Sequence, residues 1–404
     1  QLALPSQRDE DWKYPSTRAI TRAAFTPAVA GAPCPGEFVS QTTIDGLDAW
    51  RLVFADGFWQ PELSLLDDLP KGVQISGLGQ SLGSEPQRIA ALLGSALGQT
   101  PHGFIAMNSA FIGDGALIEI APDTRVDKPI ELLFISGCSG EGFLSLPRNL
   151  VVMGAGSQAT VIERHVSLAD ERLLSNSVSE LILADNASLN YQGVQQVAPR
   201  GFHVGGMFAR LGRSARLQAT TVTMSGALVR NDALVNLDDE GGFASLDGLY
   251  LAFGRSHVDN HTHITHNAPH CVSREHYKGV LGDRGHAVFH GRIVVQPGAQ
   301  KTDSVQNNQN LLLSADAEID TKPQLEIYAD DVKCAHGATV GQLDETAVFY
   351  LMSRGIDRQA ARRMLTQAFA ADVLNRIELP ALRSYLEAQA VQRLSSEQVR
   401  QSES

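Results

Sequence analysis

The sequence predicts a mainly β protein: a β-solenoid core, with a mixed or helical N-terminal region before it and a helical C-terminal domain after it. Three observations carry that prediction. Between residues 103 and 342, short alternating runs of Val, Ile, Leu and Thr are broken by small or acidic turns. Aromatics are few (15 Phe, 7 Tyr, 3 Trp) beside 36 Gly, which suits the narrow aliphatic core of stacked rungs. From Leu343 onward the apolar period becomes helical. A sandwich or barrel would also alternate. The composition favours the solenoid.

The elements follow in order. Residues 1–102 mix turn-rich stretches with one helix at PQRIAALLGSAL (86–97), where proline suits a first turn. Within 103–342, strands are predicted at ALIEI (116–120), IELLFIS (130–136), NLVVM (149–153), ATVIE (159–163), SELILA (179–184), ARLQATTVTM (215–224), HAVFHGRIVV (286–295) and QLEIYA (324–329). Nothing between them is periodic enough for a crossover helix. The turns GAGSQATV (154–161), ADNASLNY (184–191), LGRSARLQ (211–218), LGDRGHAV (281–288) and SADAEIDT (314–321) resemble one another, a degenerate repeat.

In 343–404, Asp344 caps a first helix that Gly355 ends, and Asp357 caps a second. Ala361, Met364, Leu365, Ala368, Phe369, Val373 and Ile377 form an apolar stripe on that second helix. Pro380 starts a third, ending in the polar tail SSEQVRQSES. The stripe suits either a cover for the last rung or a partner-docking face.

Composition excludes several functions. The net charge of −12 opposes nucleic-acid binding, which needs surplus Lys and Arg. No apolar run approaches the roughly 18–20 residues that cross a bilayer, and the N-terminus lacks the order of a signal peptide. A soluble cytoplasmic protein is expected, its true N-terminus missing because no Met begins it. Cys34, Cys138, Cys271 and Cys334 are far apart in sequence and make no CxxC pair, so reduced buried thiols are expected.

Two apparent motifs are rejected. Gly154, Gly156 and Ala159 match GxGxxA, but the β-branched ATVIERHV that follows is a strand, not the helix a dinucleotide needs. Gly79-Gln80-Ser81-Leu82-Gly83 matches the nucleophile elbow without a strong preceding strand, and reads as a turn. No lysine follows a glycine, so there is no P-loop.

Histidines cluster at 257–290. His261 with His263, and His286 with His290, share strand faces and are metal candidates beside the plainer reading as surface or hydrogen-bonded groups. Cys334 and His336 also share a strand face. A thiolate beside an imidazole suits iron, an iron–sulfur species or zinc, with further ligands supplied from elsewhere. An inert cysteine beside a hydrogen-bonded histidine fits the pattern as well. Trp12 and Tyr14 read as an anchor for the N-terminal arm.

The stretch KPQLEIYADDVKCAHGATVGQLDE (322–345) closely resembles the SufB/SufD family of the SUF iron–sulfur cluster assembly system. DWKYPSTRAI (11–20), DKPIELLFIS (127–136) and PRNLVVMGAGSQATVIE (147–163) resemble it in the same order. The resemblance implies a right-handed parallel β-helix whose partners are a SufB-type subunit and a SufC-type ABC ATPase. It implies a non-catalytic chain that couples ATPase motion to the interface where a cluster forms transiently, with none bound tightly by the isolated chain.

His336 matches the family histidine placed at that interface, and Cys334 its neighbouring cysteine. Phe349, Tyr350, Leu351 and Arg354 are the expected ATPase contacts. The cysteines of SufB-type motifs are absent: Glu163-Arg164-His165 and Gln306-Asn307-Asn308-Gln309 stand there, and Gly337 stands where Glu follows the histidine. These departures point to the SufD type. The competing expectations are a carbohydrate-active β-helix enzyme, a stand-alone SufB-like scaffold, and for the isolated chain a homodimer.

Overall fold

The computed structural model describes residues 4–14, 17–31, 34–98, 102–140, 142–168 and 170–403, with the side chains of 396–403 left aside. Gln1, on which the expectation of a missing N-terminus rests, lies outside the described residues. The protein is mainly β, a solenoid of about eight turns with helices at its termini.

From Arg148–Met153 onward, successive strands alternate between two sheets. One sheet ends in His257–His266, His286–Val295 and Glu318–Ile327; the other ends in Val272–Leu281, Asp303–Leu312 and Lys333–Gly341. Like strands stack parallel and in register, so equivalent side chains form columns. Ala159, Leu189, Leu217 and Ala244 make one such inward column, all buried. Each fully buried Leu contributes about 1.5–3 kcal/mol. Four of the five repeated turns share a backbone feature: Gly156, Asn186, Ser214 and Asp283 take φ of 69°, 58°, 53° and 53°. Gly, Asn and Asp tolerate that conformation best.

ALIEI, IELLFIS and HAVFHGRIVV are strands over the predicted residues. Other boundaries shift. Glu318–Ile327 starts inside the stretch read as a turn, continuing the ladder of His286–Val295. The helix expected at 86–97 ends at Leu92, just before Gly94 at φ +82°. The GxSxG stretch is not a turn: strand Val73–Gly77 leads directly into helix Leu78–Ser84. Ser81 there is buried, its hydroxyl 2.9 Å from Ser76 Oγ and 3.3 Å from the Gly77 carbonyl, with no histidine bonded to it among the described residues to act as base. The GxGxxA turn is followed by strand Gln158–Ser167, as expected.

Residues 1–102 contribute strands to the same sheets. Trp50–Ala55 pairs parallel with Ile130–Ser136, and Val73–Gly77 pairs antiparallel with Ala116–Ile120. Cys34 and Cys138, distant in sequence, meet with sulfurs 2.8 Å apart as thiols. Trp12 is the predicted anchor, 2% exposed, stacked on Phe104 and lying under the Arg230 guanidinium. Tyr14 is half-buried.

The C-terminal helices are Glu345–Ser353, Arg358–Leu374 and Pro380–Glu403, and Asp344 and Asp357 cap the first two through their carboxylates. They lie along the flank of the solenoid, and among the described residues no strand pairs with the outer edge of its last rung. Ala370, Val373, Leu374, Ile377, Leu382 and Leu386 pack on an outer sheet face that includes Ile162, Val222, Leu249 and Val280. The contact face of the second helix keeps Ala361, Val373 and Ile377 of the predicted stripe but is shifted round from it: Met364 and Ala368 are exposed, whereas Thr366, Ala370 and Leu374 are buried. The sheet is met by residues about 100° farther round the helix.

Candidate functional site at the open end of the solenoid

Among the described residues, Glu318–Ile327 and Lys333–Gly341 are the terminal strands of the two sheets, and each pairs on one side only. Their other edges carry free backbone donors and acceptors, the groups that recruit another strand. Ile327, Tyr328 and Val340 are exposed large apolar residues on or beside these strands.

Cys334 and His336 lie on the last strand, in register above Ser304 and Gln306. Both residues beneath are fully buried and inward-facing, so Cys334 and His336 share the interior face of the rung. Cys334 is half-buried and packs against the main core, whereas His336 is exposed. Burial, with Asp303 nearby, pushes the Cys334 thiol above its usual range. It stays protonated at neutral pH unless another cation approaches it.

Below His336 runs a ladder that sequence reasoning missed. Gln306 pairs in register with Glu275 one rung down, and its side-chain amide donates to the Glu275 carboxylate. Burial raises Glu275 to about 7 against the usual 4.5. Among the described residues Gln306 Oε1 has no hydrogen-bond partner, an uncommon cost for a buried oxygen. Beside the ladder, Asn308 donates to Tyr250 (3.0 Å), while Asn310 and Thr321 donate to Asn308 Oδ1 (2.6 and 2.9 Å). The polar string QNNQN in an inward-facing strand was the available signal.

A second buried polar cluster contains Glu163, which His165, Ser177, Ser179 and Tyr191 surround. Burial pushes Glu163 up, but His165 and the hydroxyls outweigh it and bring it to about 2. Arg164 points outward and joins three regions, donating to Glu131 (2.6 Å) and the Thr42 carbonyl (2.9 Å) and stacking on Tyr385.

Of the helix residues singled out, Phe349 (70% exposed), Tyr350 (56%) and Arg354 face solvent, and Arg354 stacks on Tyr350. Leu351 is half-buried. Met352 is an exposed neighbour that pattern reading passed over. The histidine candidates separate. His261 and His290 lie side by side with Asp11, whereas His286 joins Glu318 and Asp320. His263 belongs to neither group and lies in register with Arg292. Burial holds His263 and His290 below the usual imidazole range.

A family model described as the SufBD core domain of the SUF system for FeS cluster assembly matches residues 135–369, and the SufBD N-terminal region matches 1–132. The chain belongs to the SufBD family. It is 33% identical over 396 residues to the iron-sulfur cluster assembly protein SufD of Escherichia coli, covering 98% of this chain and 90% of that one. A SufBD family protein of Synechocystis is 31% identical, covering 95% and 86%. SufD of Bacillus subtilis is 26% identical over 70% of this chain and 65% of its own length. The protein is thus an iron–sulfur cluster assembly component of this family. No described helix is long and apolar enough to cross a membrane.

Proposed function

We propose that the chain is the cytoplasmic, non-catalytic SufD-type partner in cluster assembly. Its open end docks a SufB-type subunit, and its C-terminal helices receive a SufC-type ABC ATPase. The observation that carries this reading is the uncovered last rung, with two free parallel edges and Cys334 and His336 on the interior face of one. Continuation of both sheets by a second solenoid would satisfy those edges and bring foreign ligands to His336. Exposed Phe349, Tyr350 and Arg354 then give the ATPase a grip on the helix that follows the last strand in the chain.

The chain alone holds no cluster tightly in this reading, because Cys334 is half-buried with a raised thiol and the SufB-type cysteines are missing. The test is His336→Ala in cells depleted of other cluster assembly routes. The complex should purify intact with the SufB-type and SufC-type chains, while cluster formation falls at least about tenfold, no less than the loss seen when only a ligand's outer partner is removed. Normal cluster formation by that variant sinks the role given to His336. Failure of the wild-type chain to co-purify with either partner sinks the docking.

A further inference from the structure

The histidine-bearing sheet carries a second constellation, on the opposite sheet from His336. His261 and His290 sit in register on adjacent strands with ring centroids 4.9 Å apart. The N-terminal arm crosses above them, and Asp11 Oδ1 lies 3.7 Å from His290 Nδ1. One ring nitrogen from each histidine and one Asp11 oxygen all fall within 4.8 Å of one another. They border a groove of about 1360 Å³, open enough for water to complete a coordination sphere.

The surroundings are those of a cation site. His290 Nε2 is 2.6 Å from Gln324 Oε1, which orients the ring with Nδ1 toward Asp11. His261 Nε2 has Asp259 Oδ1 at 2.9 Å. Such outer partners fix the rings of metal-bound histidines. Arg230 also approaches His261, 3.2 Å from its Nε2, but Asp232 and Asp259 both pair with that guanidinium. Adding Asp11 leaves three carboxylates against one guanidinium. Arg292 with Glu326 and Lys322 with Glu10 are neutral pairs at the rim.

We propose that Asp11, His261 and His290 bind a divalent first-row transition cation, Zn²⁺ or Fe²⁺, which pins the N-terminal arm across the solenoid. Two imidazoles and a carboxylate suit these ions and disfavour Mg²⁺ or Ca²⁺. Exposed Asp11 has the freedom to close the remaining distance to the roughly 2.0–2.2 Å of such bonds. The ion would reinforce the existing arm contacts, Trp12 under Arg230 and the Asp11 carbonyl accepting from it.

The full chain is loaded with Zn²⁺, with anaerobic Fe²⁺ and with Co²⁺ in separate arms, then desalted. About one equivalent of Zn²⁺ or Fe²⁺ should remain, and Asp11→Asn or the His261→Ala/His290→Ala pair should weaken binding roughly 10–100-fold. His286→Ala should leave it unchanged, and circular dichroism confirms that each variant is folded. The Co²⁺ form should show visible ligand-field bands without thiolate-to-cobalt charge transfer. Bound metal should also slow tryptic cleavage at Arg8 and Lys13 in the wild type only. Retention below about a tenth of an equivalent, binding undiminished in both variants, or a thiolate band would overturn the proposal.

Discussion

The two ends of the solenoid are built differently. At the start, both sheets finish in antiparallel strands: Phe58–Trp59 against Trp50–Ala55, and Val73–Gly77 against Ala116–Ile120. Trp59, Leu66, Leu69 and Ile75 pack over the core there. At the far end the last two strands are parallel, bare on one side and mostly half-buried or exposed. A solenoid whose only task was to stay folded and monomeric would cover both ends, because a flat free edge invites pairing. Covering one and leaving the other is the contrast on which the proposed docking interface rests, and Cys334 and His336 lie at the bare end.

Matched truncations give the largest test of that contrast. Leu52→Ala, fully buried at the covered end, should cost about 2–5 kcal/mol in urea unfolding of the isolated chain. Leu325→Ala, half-buried at the open end, should cost under about 1 kcal/mol. Equal losses would mean that the last rung is already as well packed as the first, and the contrast would fail.

A titration sharpens it next. Glu275 is raised from 4.5 to about 7, so the folded chain binds more protons than the unfolded chain between those values. The resulting stabilisation is complete below about pH 4.5 and is lost as pH rises through about 7, with every tenfold difference in proton affinity worth about 1.4 kcal/mol. Glu275→Gln should flatten the dependence of unfolding free energy on pH across that window. An unchanged slope would show that the carboxyl beneath the open rung is already solvated.

The smallest effect belongs to His336→Ala. The residue is exposed on the edge rung, so its removal should change the stability of the isolated chain by less than about 0.5 kcal/mol. A larger loss by thermal unfolding would make His336 a structural residue and weaken its role at an interface.

Much of this was legible in the chain. Strands such as ALIEI and HAVFHGRIVV announce themselves because inward and outward residues alternate locally, and Asp344, Gly355 and Asp357 mark helix ends by backbone chemistry within a turn. Cys334 and His336 were legible through strand parity and family resemblance. The strands inside residues 50–77 escaped because their partners lie far downstream. The second helix was misread in rotation for a related reason: its sequence offers several apolar faces, and only docking selects one.

The sequence by itself determined the solenoid, the helical tail and the place of the edge motif, since each rests on near-neighbour periodicity or a contiguous string. Tertiary structure alone decided that the helices lie along the flank and leave the last rung bare. It also decided that Cys34 meets Cys138, that Glu275 and Gln306 stand beneath His336, and that Asp11 reaches His261 and His290. Those contacts join residues tens to hundreds of positions apart. Stacking in register creates them, and no local pattern encodes which rung will lie above which.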